Sequence, residues 1–445
     1  MFRIGKLYLI LIVVVTLQSC SAHKIVVGDG AGWLGREMKS TDGLQDHDFG
    51  FALFDPVGSE WIYDRNSTKY FTPASNAKIL TLYTALHYLK DSTEALRFVR
   101  KPNVHEGDTL IFWGTGDPSL LYHNWGSEHI LDFLRSNDGP LYYAPRAEIE
   151  KYGPGWAWDD YPYRFQVEKS TLPVYGNRLT FSRFTLALEG EVSPPYFRQY
   201  VVEDAGQNVF ARRMPDANSF TINSELVDKL PFEVEIPFIV SSYDVAEILS
   251  ETLNRKVTLD YNFRQWDTYQ VIKGVSLDSL YQLMMRDSDN FIAEQLLLLC
   301  ANEMNGDFTT QRTIEAAQED LLSDAPDPFQ WFDGSGLSRY NLFTPRSLVW
   351  ILDQLLKEKG LDYIKEIFAA GGVNGTIEDW YGGSSQPVVF AKTGSLRNRH
   401  CLSGYLIAKS GRTLIFSFMH QNFIGSSISV KEGMQHVLRS VYEKY

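Results

Sequence analysis

Three short motifs, far apart along the 445-residue chain, constrain its fold more than any other feature of the sequence. They are Ser75-Asn76-Ala77-Lys78, Ser288-Asp289-Asn290 and Lys392-Thr393-Gly394. Each is short enough to arise by chance: Ser-x-x-Lys also occurs at Ser21, whereas Ser-x-Asn and Lys-Thr-Gly occur once each. If the motifs act together, the fold must bring them to one place although 213 positions separate Ser75 from Ser288.

The first motif pairs a hydroxyl with an amine. Apolar residues recur at helical spacing in the run NAKILTLYTALHYL, so Ser75 and Lys78 lie on one face at a helix start, where backbone N–H groups stabilise negative charge. A serine is a poor nucleophile at neutral pH, and a lysine acts as its base only when burial or a cation lowers its pKa. Lys392 is a candidate for that cation. Alone, Ser75 could be a helix N-cap and Lys78 a solvated residue; the other motifs favour catalysis.

The second motif opens another helical run, DNFIAEQLLLLCANEM, and helix capping alone could explain its residue types. In a catalytic interpretation, the Ser288 hydroxyl passes a proton between the Lys78 side and a leaving amine. The Asn290 side chain then hydrogen-bonds a substrate amide.

The third motif ends the apolar strand VVFA, and its alternative interpretation is a strand-end turn. Gly394 would permit a substrate backbone to approach the strand edge, which can hold an extended peptide. The Lys392 ammonium, with the Thr393 and Ser395 hydroxyls, suits a terminal carboxylate.

The pattern along the chain predicts a mixed α/β (α+β) fold. Alternation in residues 46–64 predicts an antiparallel hairpin, and three further strands precede a closing amphipathic helix at the C-terminus. Residues 96–271 differ, because strand-like runs there are broken by loops rich in Gly, Pro and aromatic residues. This stretch is predicted to be a separate, mostly β unit.

Composition limits the partners. Lys plus Arg total 42 against 55 Asp plus Glu, a net charge of −13 that argues against binding nucleic acid or an anionic membrane surface. No C-x-x-C or H-E-x-x-H spacing offers a metal site, so neither a metal nor an organic cofactor is expected.

Residues 1–19 have the features of an export signal, with Arg3 and Lys6 ahead of an apolar segment too short to span a membrane. The ending Leu17-Gln18-Ser19-Cys20 resembles a bacterial lipobox, which predicts lipidation of Cys20 and a periplasmic lipoprotein held at the outer or inner membrane. The alternative is an ordinary cleaved signal. Cys300 and Cys401 lie in apolar runs and are predicted to be buried thiols, although they could pair in an oxidising compartment.

With these motifs, the chain resembles the class C low-molecular-mass penicillin-binding proteins, the D-alanyl-D-alanine carboxypeptidase/endopeptidases of the DacB type. Further similar stretches are TGDPSL at 115–120, GPGWAWDD at 153–160, SDNFIAEQLL at 288–297 and DGSGLSR at 333–339. The resemblance implies a serine β-lactamase/transpeptidase-like domain, an antiparallel sheet flanked by helices, built from 20–95 and 272–445. Residues 96–271 would then be an inserted β-rich accessory region of one or two domains.

The resemblance also implies roles for individual residues. Ser75 would be the acyl-enzyme nucleophile, Lys78 the proton acceptor and Ser288 the proton relay, with the backbone N–H groups of Ser75 and Ser395 forming the oxyanion hole.

Asp160 and Arg339 match positions where the family tends to hold the polar end of the stem-peptide side chain. The alternatives are a surface carboxylate and an arginine that stabilises its loop.

The implied activity is serine-type D-Ala-D-Ala carboxypeptidase or endopeptidase action on peptidoglycan stem peptides, with β-lactams as acylating inhibitors. Two alternatives stay open: a β-lactamase or esterase of the same fold, although no E-x-x-L-N supplies the class A glutamate, and a non-catalytic cell-wall-binding lipoprotein. Tyr175-Gly176-Asn177 matches the Y-x-N of class C β-lactamases, but it precedes a predicted strand and is interpreted as a turn.

Overall fold

The computed structural model describes residues 31–122, 125–146, 148–184, 190–206, 208–223, 225, 231–264, 266–383 and 385–445. The predicted export signal and Cys20 lie outside the described residues. Within these ranges, no helix has both the length and the apolar character needed to cross a membrane.

The described α-helices, in chain order, are α1 (Ala31–Ser40), α2 (Ala77–Tyr88), α3 (Glu128–Arg135), α4 (Ser242–Leu253), α5 (Leu277–Arg286), α6 (Asn290–Asn305), α7 (Thr310–Asp320), α8 (Pro345–Ile367) and α9 (Ile428–Lys444). The strands are β1 (Asp48–Asp55), β2 (Glu60–Arg65), β3 (Ser92–Lys101), β4 (Thr109–Gly114), β5 (Leu141–Tyr143), β6 (Arg178–Arg183), β7 (Glu191–Ser193), β8 (Val201–Glu203), β9 (Ala211–Arg213), β10 (Phe220–Ile222), β11 (Phe232–Pro237), β12 (Val257–Leu259), β13 (Gln270–Ser276), β14 (Ala369–Ala370), β15 (Val389–Leu396), β16 (Arg399–Ile407) and β17 (Thr413–Gln421).

The largest sheet has six strands in the order β14-β15-β16-β17-β1-β2, and all its neighbouring strands are antiparallel. The N-terminal hairpin joins the C-terminal strands through β1 and β17, whose register places Asp48 opposite Gln421. Both the predicted hairpin and the three predicted C-terminal strands are confirmed.

Helices cover both faces of this sheet, because its strands carry apolar residues on both sides. Phe390, Ile415 and Met419 pack into one core with residues of α2, α5, α6 and α8. Phe416 and Phe418 point the other way and pack with residues of α1 and α9. The mixed fold with an antiparallel sheet flanked by helices is therefore as predicted, although the sequence analysis did not identify α1 or α7.

Residues 96–271, the accessory unit, contribute to three smaller sheets with the orders β12-β5-β4-β3-β13, β11-β6-β7 and β8-β10-β9. They also contain helices α3 and α4, which the sequence analysis did not predict. Strands β3 and β13 pair antiparallel where the chain enters and leaves the unit, and the predicted boundaries at 96 and 271 fall within them. That the unit is a separate inserted domain stays a prediction.

Two further predictions concern particular residues. Cys300 and Cys401 are free and buried, and burial raises the pKa of both thiols, so the prediction of buried thiols is confirmed. The segment Tyr175–Asn177 is a short 3-10 turn with Gly176 at φ 59°, and strand β6 follows it directly, as the turn interpretation requires.

Candidate active site

Ser75 lies in a tight turn that leads into α2. The 3-10 turn Ala74–Asn76 immediately precedes the helix, and Ala74 has φ 47°, in the left-handed region that a residue with a Cβ rarely adopts. The Asn76 side chain donates to the carbonyl of Lys392 over 3.0 Å, which ties the turn to β15. This buried contact was not predicted from sequence.

Gly394 permits strand β15 to lie directly against this turn. A Cβ at position 394 would be 2.4 Å from the carbonyl oxygen of Pro73 and 3.0 Å from the backbone nitrogen of Ser75. The glycine of the third motif is therefore required for contact with the turn that carries Ser75, in addition to any approach by a substrate.

Lys78 is fully buried one helical turn after Ser75, and its amine has three neighbours. Nζ lies 3.0 Å from Ser75 Oγ, 2.6 Å from Asn290 Oδ1 and 2.6 Å from the carbonyl oxygen of Ser335. A neutral amine has two N–H groups and one lone pair. With two acceptors occupying the N–H groups, the lone pair is left for the Ser75 hydroxyl.

Burial lowers the pKa of Lys78 from 10.5 to about 8, against the opposing effect of Asp333, Asp289 and Glu294. Burial, and not the candidate cation Lys392, is therefore the main cause of the lowered pKa of Lys78. Lys392 is buried as well; burial lowers its pKa well below the usual value, and the charge of Lys78 lowers it further.

The second motif faces the third. Ser288 Oγ accepts from Lys392 Nζ over 2.8 Å, and Lys392 also donates to the carbonyl of Thr393 over 2.9 Å. Ser288 has φ 63°, again in the left-handed region. The hydroxyl of Ser288 thus meets Lys392, while Lys78 meets Ser75 and Asn290.

The Asn290 amide is oriented from both ends. Its Oδ1 accepts from Lys78, and its Nδ2 donates over 2.8 Å to the carbonyl of Phe165 in the accessory unit. An amide nitrogen carries two N–H groups, so the bond to Phe165 still leaves a second one for a substrate.

The loop that holds the Lys78 amine is organised around a buried carboxylate, Asp333. It accepts from the backbone of Gly336 at 3.1 Å and of Ser338 at 2.8 Å, and from the Trp156 indole at 2.8 Å. A Cβ at Gly336 would lie 1.9 Å from the Ala74 carbonyl, so the loop packs tightly on the turn that contains Ser75. The sequence analysis used the DGSGLSR stretch for the family resemblance and assigned a role only to Arg339, so it missed Asp333, the first residue of that stretch.

Glu294 is a second acid that the sequence analysis missed. It lies on α6, one turn after Asn290, and accepts from the backbone N–H of Ser335 over 2.7 Å. Burial, together with the charge of Asp333, raises the pKa of Glu294 to about 7. The sequence signal was an acid four positions after Asn290, in a largely apolar helix that also contains Gln295 and Glu303.

Asp160 and Arg339, selected only from the resemblance, come together. Arg339 lies 3.7 Å from Asp160 in an ion pair, and both side chains are partly exposed. Burial raises the pKa of Asp160 despite the opposing charge of Arg339. The backbone of Arg339 donates to the carbonyl of Gly155 over 3.2 Å, which joins the two loops.

Thr393 and Ser395 already have hydroxyl partners. Thr393 donates to Thr376 over 2.7 Å, and the Oγ of exposed Ser395 lies 2.9 Å from Nδ1 of buried His400.

A cavity of about 1010 Å³ opens between the second motif and the accessory unit. Its lining includes Ser288, Asn290, Trp158, Tyr161 and Phe165. Within the described ranges, no group of three or more His, Cys, Asp or Glu residues is placed to hold a metal ion.

Comparison with known proteins identifies relatives over most of the chain. D-alanyl-D-alanine carboxypeptidase DacB of Haemophilus influenzae is 26% identical over 403 residues, covering 82% of this chain and 84% of the relative. D-alanyl-D-alanine carboxypeptidase of Actinomadura sp. is 26% identical over 420 residues, covering 84% and 78%.

A solved structure shares the fold. The crystal structure of penicillin binding protein 4 (dacB) from Haemophilus influenzae superposes with a TM-score of 0.72 at 18% identity, covering 92% of this chain and 99% of that one. The same protein has also been solved in complex with a β-lactam, with a TM-score of 0.70, 18% identity and coverage of 92% and 98%.

The model of the D-Ala-D-Ala carboxypeptidase 3 (S13) family matches residues 37–441. This range includes all three motifs, and the predicted resemblance to DacB-type penicillin-binding proteins is confirmed. The chain therefore belongs to the D-Ala-D-Ala carboxypeptidase 3 (S13) family of DD-carboxypeptidases.

Proposed function

We propose that Ser75 is the nucleophile with which this DD-carboxypeptidase attacks the D-Ala-D-Ala bond of a peptidoglycan stem peptide. One observation carries the assignment: the Lys78 amine lies 3.0 Å from Ser75 Oγ, while two acceptors at 2.6 Å occupy its N–H groups. A lysine held in this way is a base for its serine neighbour.

Acylation begins with proton transfer from Ser75 to Lys78. Because burial brings the pKa of Lys78 to about 8, a fraction of the amine is neutral near pH 7 and can accept the proton as Oγ attacks the carbonyl. The backbone N–H groups of Ser75 and Ser395 are the proposed donors to the developing oxyanion.

The tetrahedral intermediate then breaks its C–N bond. The proton that Lys78 took from Ser75 passes to the leaving amine, with Ser288 as the proposed relay; the Ser288 hydroxyl also contacts Lys392 at 2.8 Å. The amine is D-alanine in a carboxypeptidase reaction, or a cross-linking amine in an endopeptidase reaction. Water hydrolyses the ester and returns Ser75 to its free form.

The third motif is proposed to bind the substrate carboxylate. The pKa of Lys392 is lowered by burial, so an incoming carboxylate would restore its charged form. The hydroxyls of Thr393 and Ser395 stand beside it and would exchange their present partners for the ligand.

The Asp160–Arg339 pair is proposed to hold the polar end of the stem-peptide side chain. A group carrying both an ammonium and a carboxylate would pair with both residues. The partial exposure of the pair leaves it accessible to such a ligand.

Penicillin should acylate Ser75 as well, as the β-lactam complex of the Haemophilus influenzae relative supports. The test is to incubate the purified protein with a fluorescent penicillin and, separately, to measure D-alanine release from a stem pentapeptide. We expect a covalently labelled band and D-alanine release, both absent in Ser75→Ala. A folded wild type that gives neither, or a Ser75→Ala variant that retains both, would overturn the assignment.

The proposed location is the periplasm, with a lipid anchor on Cys20. This follows from the export-signal pattern of residues 1–19 and the lipobox-like ending. The intact mass of the mature protein tests it: a diacylglyceryl adduct on an N-terminal Cys20 is expected, and an unmodified N-terminus would contradict lipidation.

A further inference from the structure

We propose that Arg178 and Tyr122 of the accessory unit are positioning residues for the reaction, because they hold Asp289, the central residue of the second motif. The inference rests on the proposed roles of Ser288 and Asn290, which flank Asp289.

Both oxygens of the Asp289 carboxylate are engaged. Oδ1 accepts from the backbone N–H of Ile292 over 2.9 Å and caps helix α6. Oδ2 accepts from the hydroxyl of Tyr122 over 2.6 Å and lies 3.5 Å from Nη2 of Arg178. Helix capping needs only the first contact, so capping does not explain why two residues of another unit converge on the second oxygen.

Arg178 also binds the segment that contacts Asn290. Its Nε donates over 3.1 Å to the carbonyl of Arg164, and the next carbonyl, of Phe165, accepts from Asn290 Nδ2 over 2.8 Å. Its Nη1 donates to the hydroxyl of Tyr122. One guanidinium therefore connects the carboxylate of Asp289 with the segment that orients the amide of Asn290.

The charges involved are deeply buried. The side chain of Arg178 is 4% exposed and that of Asp289 is 11% exposed. The guanidinium carbon lies 5.2 Å from the centroid of the Tyr122 ring and 5.6 Å from that of Phe291. Removal of the arginine would take away a buried positive charge 3.5 Å from the Asp289 carboxylate, next to Ser288 and Asn290.

The two residues that flank Asp289 must both keep a specific geometry. Ser288 has φ 63°, a backbone conformation that persists only where the surroundings fix it. Asn290 must keep Oδ1 within 2.6 Å of the Lys78 amine to direct its lone pair to Ser75. A small shift of the motif would therefore change proton transfer more than it changes ligand binding.

The test compares Arg178→Gln, Arg178→Lys and Tyr122→Phe with the wild type. For each protein, penicillin acylation is resolved into a binding constant and a rate constant for the covalent step, and the melting temperature is recorded. Arg178→Gln is expected to lower the covalent rate constant by about 10–100-fold, with the binding constant within about threefold of wild type. Tyr122→Phe should lower the same rate constant, and Arg178→Lys should recover part of the loss.

Arg213→Gln is the matched control. Arg213 is a buried arginine of the same unit, and it donates to the carbonyls of Pro237 at 2.8 Å and Met214 at 2.7 Å, away from the second motif. We expect this variant to lose thermal stability while keeping the wild-type rate constant.

The proposal would be overturned by wild-type covalent rates in Arg178→Gln and Tyr122→Phe, or by an equal loss of rate in Arg213→Gln. If Arg178→Gln does not fold, Tyr122→Phe decides, since it removes one hydroxyl and no volume of the ring. These outcomes are distinct from failure of the proposed function, in which the wild type itself would not be acylated at Ser75.

Discussion

The amine of Lys78, the proposed base, donates to the backbone carbonyl of Ser335 over 2.6 Å, so a group that cannot titrate fixes its position. This carbonyl belongs to a loop that two acids hold in place. Asp333 accepts from the backbone N–H of Gly336, and Glu294 accepts from the backbone N–H of Ser335. Three parts of the chain therefore orient the Lys78 amine: its own helix, the second motif and this loop.

The pH dependence of acylation should report the titration of Lys78. Burial places its pKa at about 8, and only the neutral amine can accept the Ser75 proton, so the efficiency of penicillin acylation should rise with pH and reach half its maximum near pH 8. Stopped-flow measurement of acylation across the pH range checks this. An efficiency that is flat across this range, in a protein that stays folded throughout, would exclude Lys78 as the base.

Gly394→Ala should damage both stability and acylation. The new Cβ would meet the backbone oxygen of Pro73 at 2.4 Å, and neither backbone can move without shifting Ser75. We expect a loss of about 1–3 kcal/mol in the free energy of unfolding, with a large fall in acylation rate. Gly58→Ala is the control, since its Cβ would approach other atoms no closer than 3.6 Å. Equal effects at both positions, measured by urea denaturation and labelling, would contradict the steric argument.

The elements and the three motifs could be predicted because both depend on local patterns. The period of apolar residues predicts the helix that begins just after Ser75 and carries Lys78, and the apolar run VVFA predicts the strand that leads into Lys392. The acids Asp333 and Glu294 could not be predicted in the same way. The charges of both acids act on Lys78, which is far from them along the chain, and the local sequence around an acid gives no indication of such a partner.

The contact between the accessory unit and the second motif could not be predicted for a similar reason. Arg178 begins a strand directly after a turn, which is an ordinary place for an arginine. Only the fold shows that its guanidinium reaches Asp289, 111 positions away. The sequence analysis gave burial or a nearby cation, with Lys392 as the candidate, as the cause that would lower the pKa of Lys78; burial of the amine, which follows from tertiary packing, is the main cause.

Asp160→Asn should alter substrate choice more than stability. The ion pair with Arg339 at 3.7 Å is partly exposed, and such pairs contribute less than about 1 kcal/mol to folding. We expect kcat/KM to fall about tenfold or more for a stem peptide with an ammonium on its third side chain, since a charge-assisted hydrogen bond is lost. A peptide with an uncharged third side chain should be cleaved as before. Asp159→Asn, at the exposed neighbouring carboxylate, is the control, and equal effects on both peptides would contradict the assignment.

Cys300 and Cys401 should resist alkylation in the folded protein. Both thiols are buried, and burial raises the pKa of Cys401 to about 12 and that of Cys300 still higher, so almost no thiolate is present at neutral pH. Peptide mass spectrometry after iodoacetamide treatment should find both unmodified in buffer and both modified in denaturant. Rapid modification in buffer would contradict their burial, and failure to react in denaturant without reductant would indicate a disulfide.

Glu294→Gln should stabilise the protein increasingly as the pH rises. The pKa of Glu294 is about 7 in the folded protein against 4.5 for an ordinary glutamate, so the folded state holds this proton more tightly than the unfolded state. The folded state therefore loses stability as the pH rises from about 4.5 through about 7, by an amount of the order of 1–3 kcal/mol, and the substitution removes that loss.

The amide that Glu294→Gln introduces can still accept from the backbone of Ser335, so the loop should keep its place. Because the Glu294 charge raises the pKa of Lys78, the half-maximum of the acylation profile should also move to lower pH in this variant. Denaturation of Glu294→Gln and of the control Glu303→Gln, at an exposed position of the same helix, at about pH 5 and about pH 8 provides the comparison. A stability difference from wild type that is the same at both pH values would show that Glu294 is already ionised in the folded protein at the lower pH, which would contradict its raised pKa.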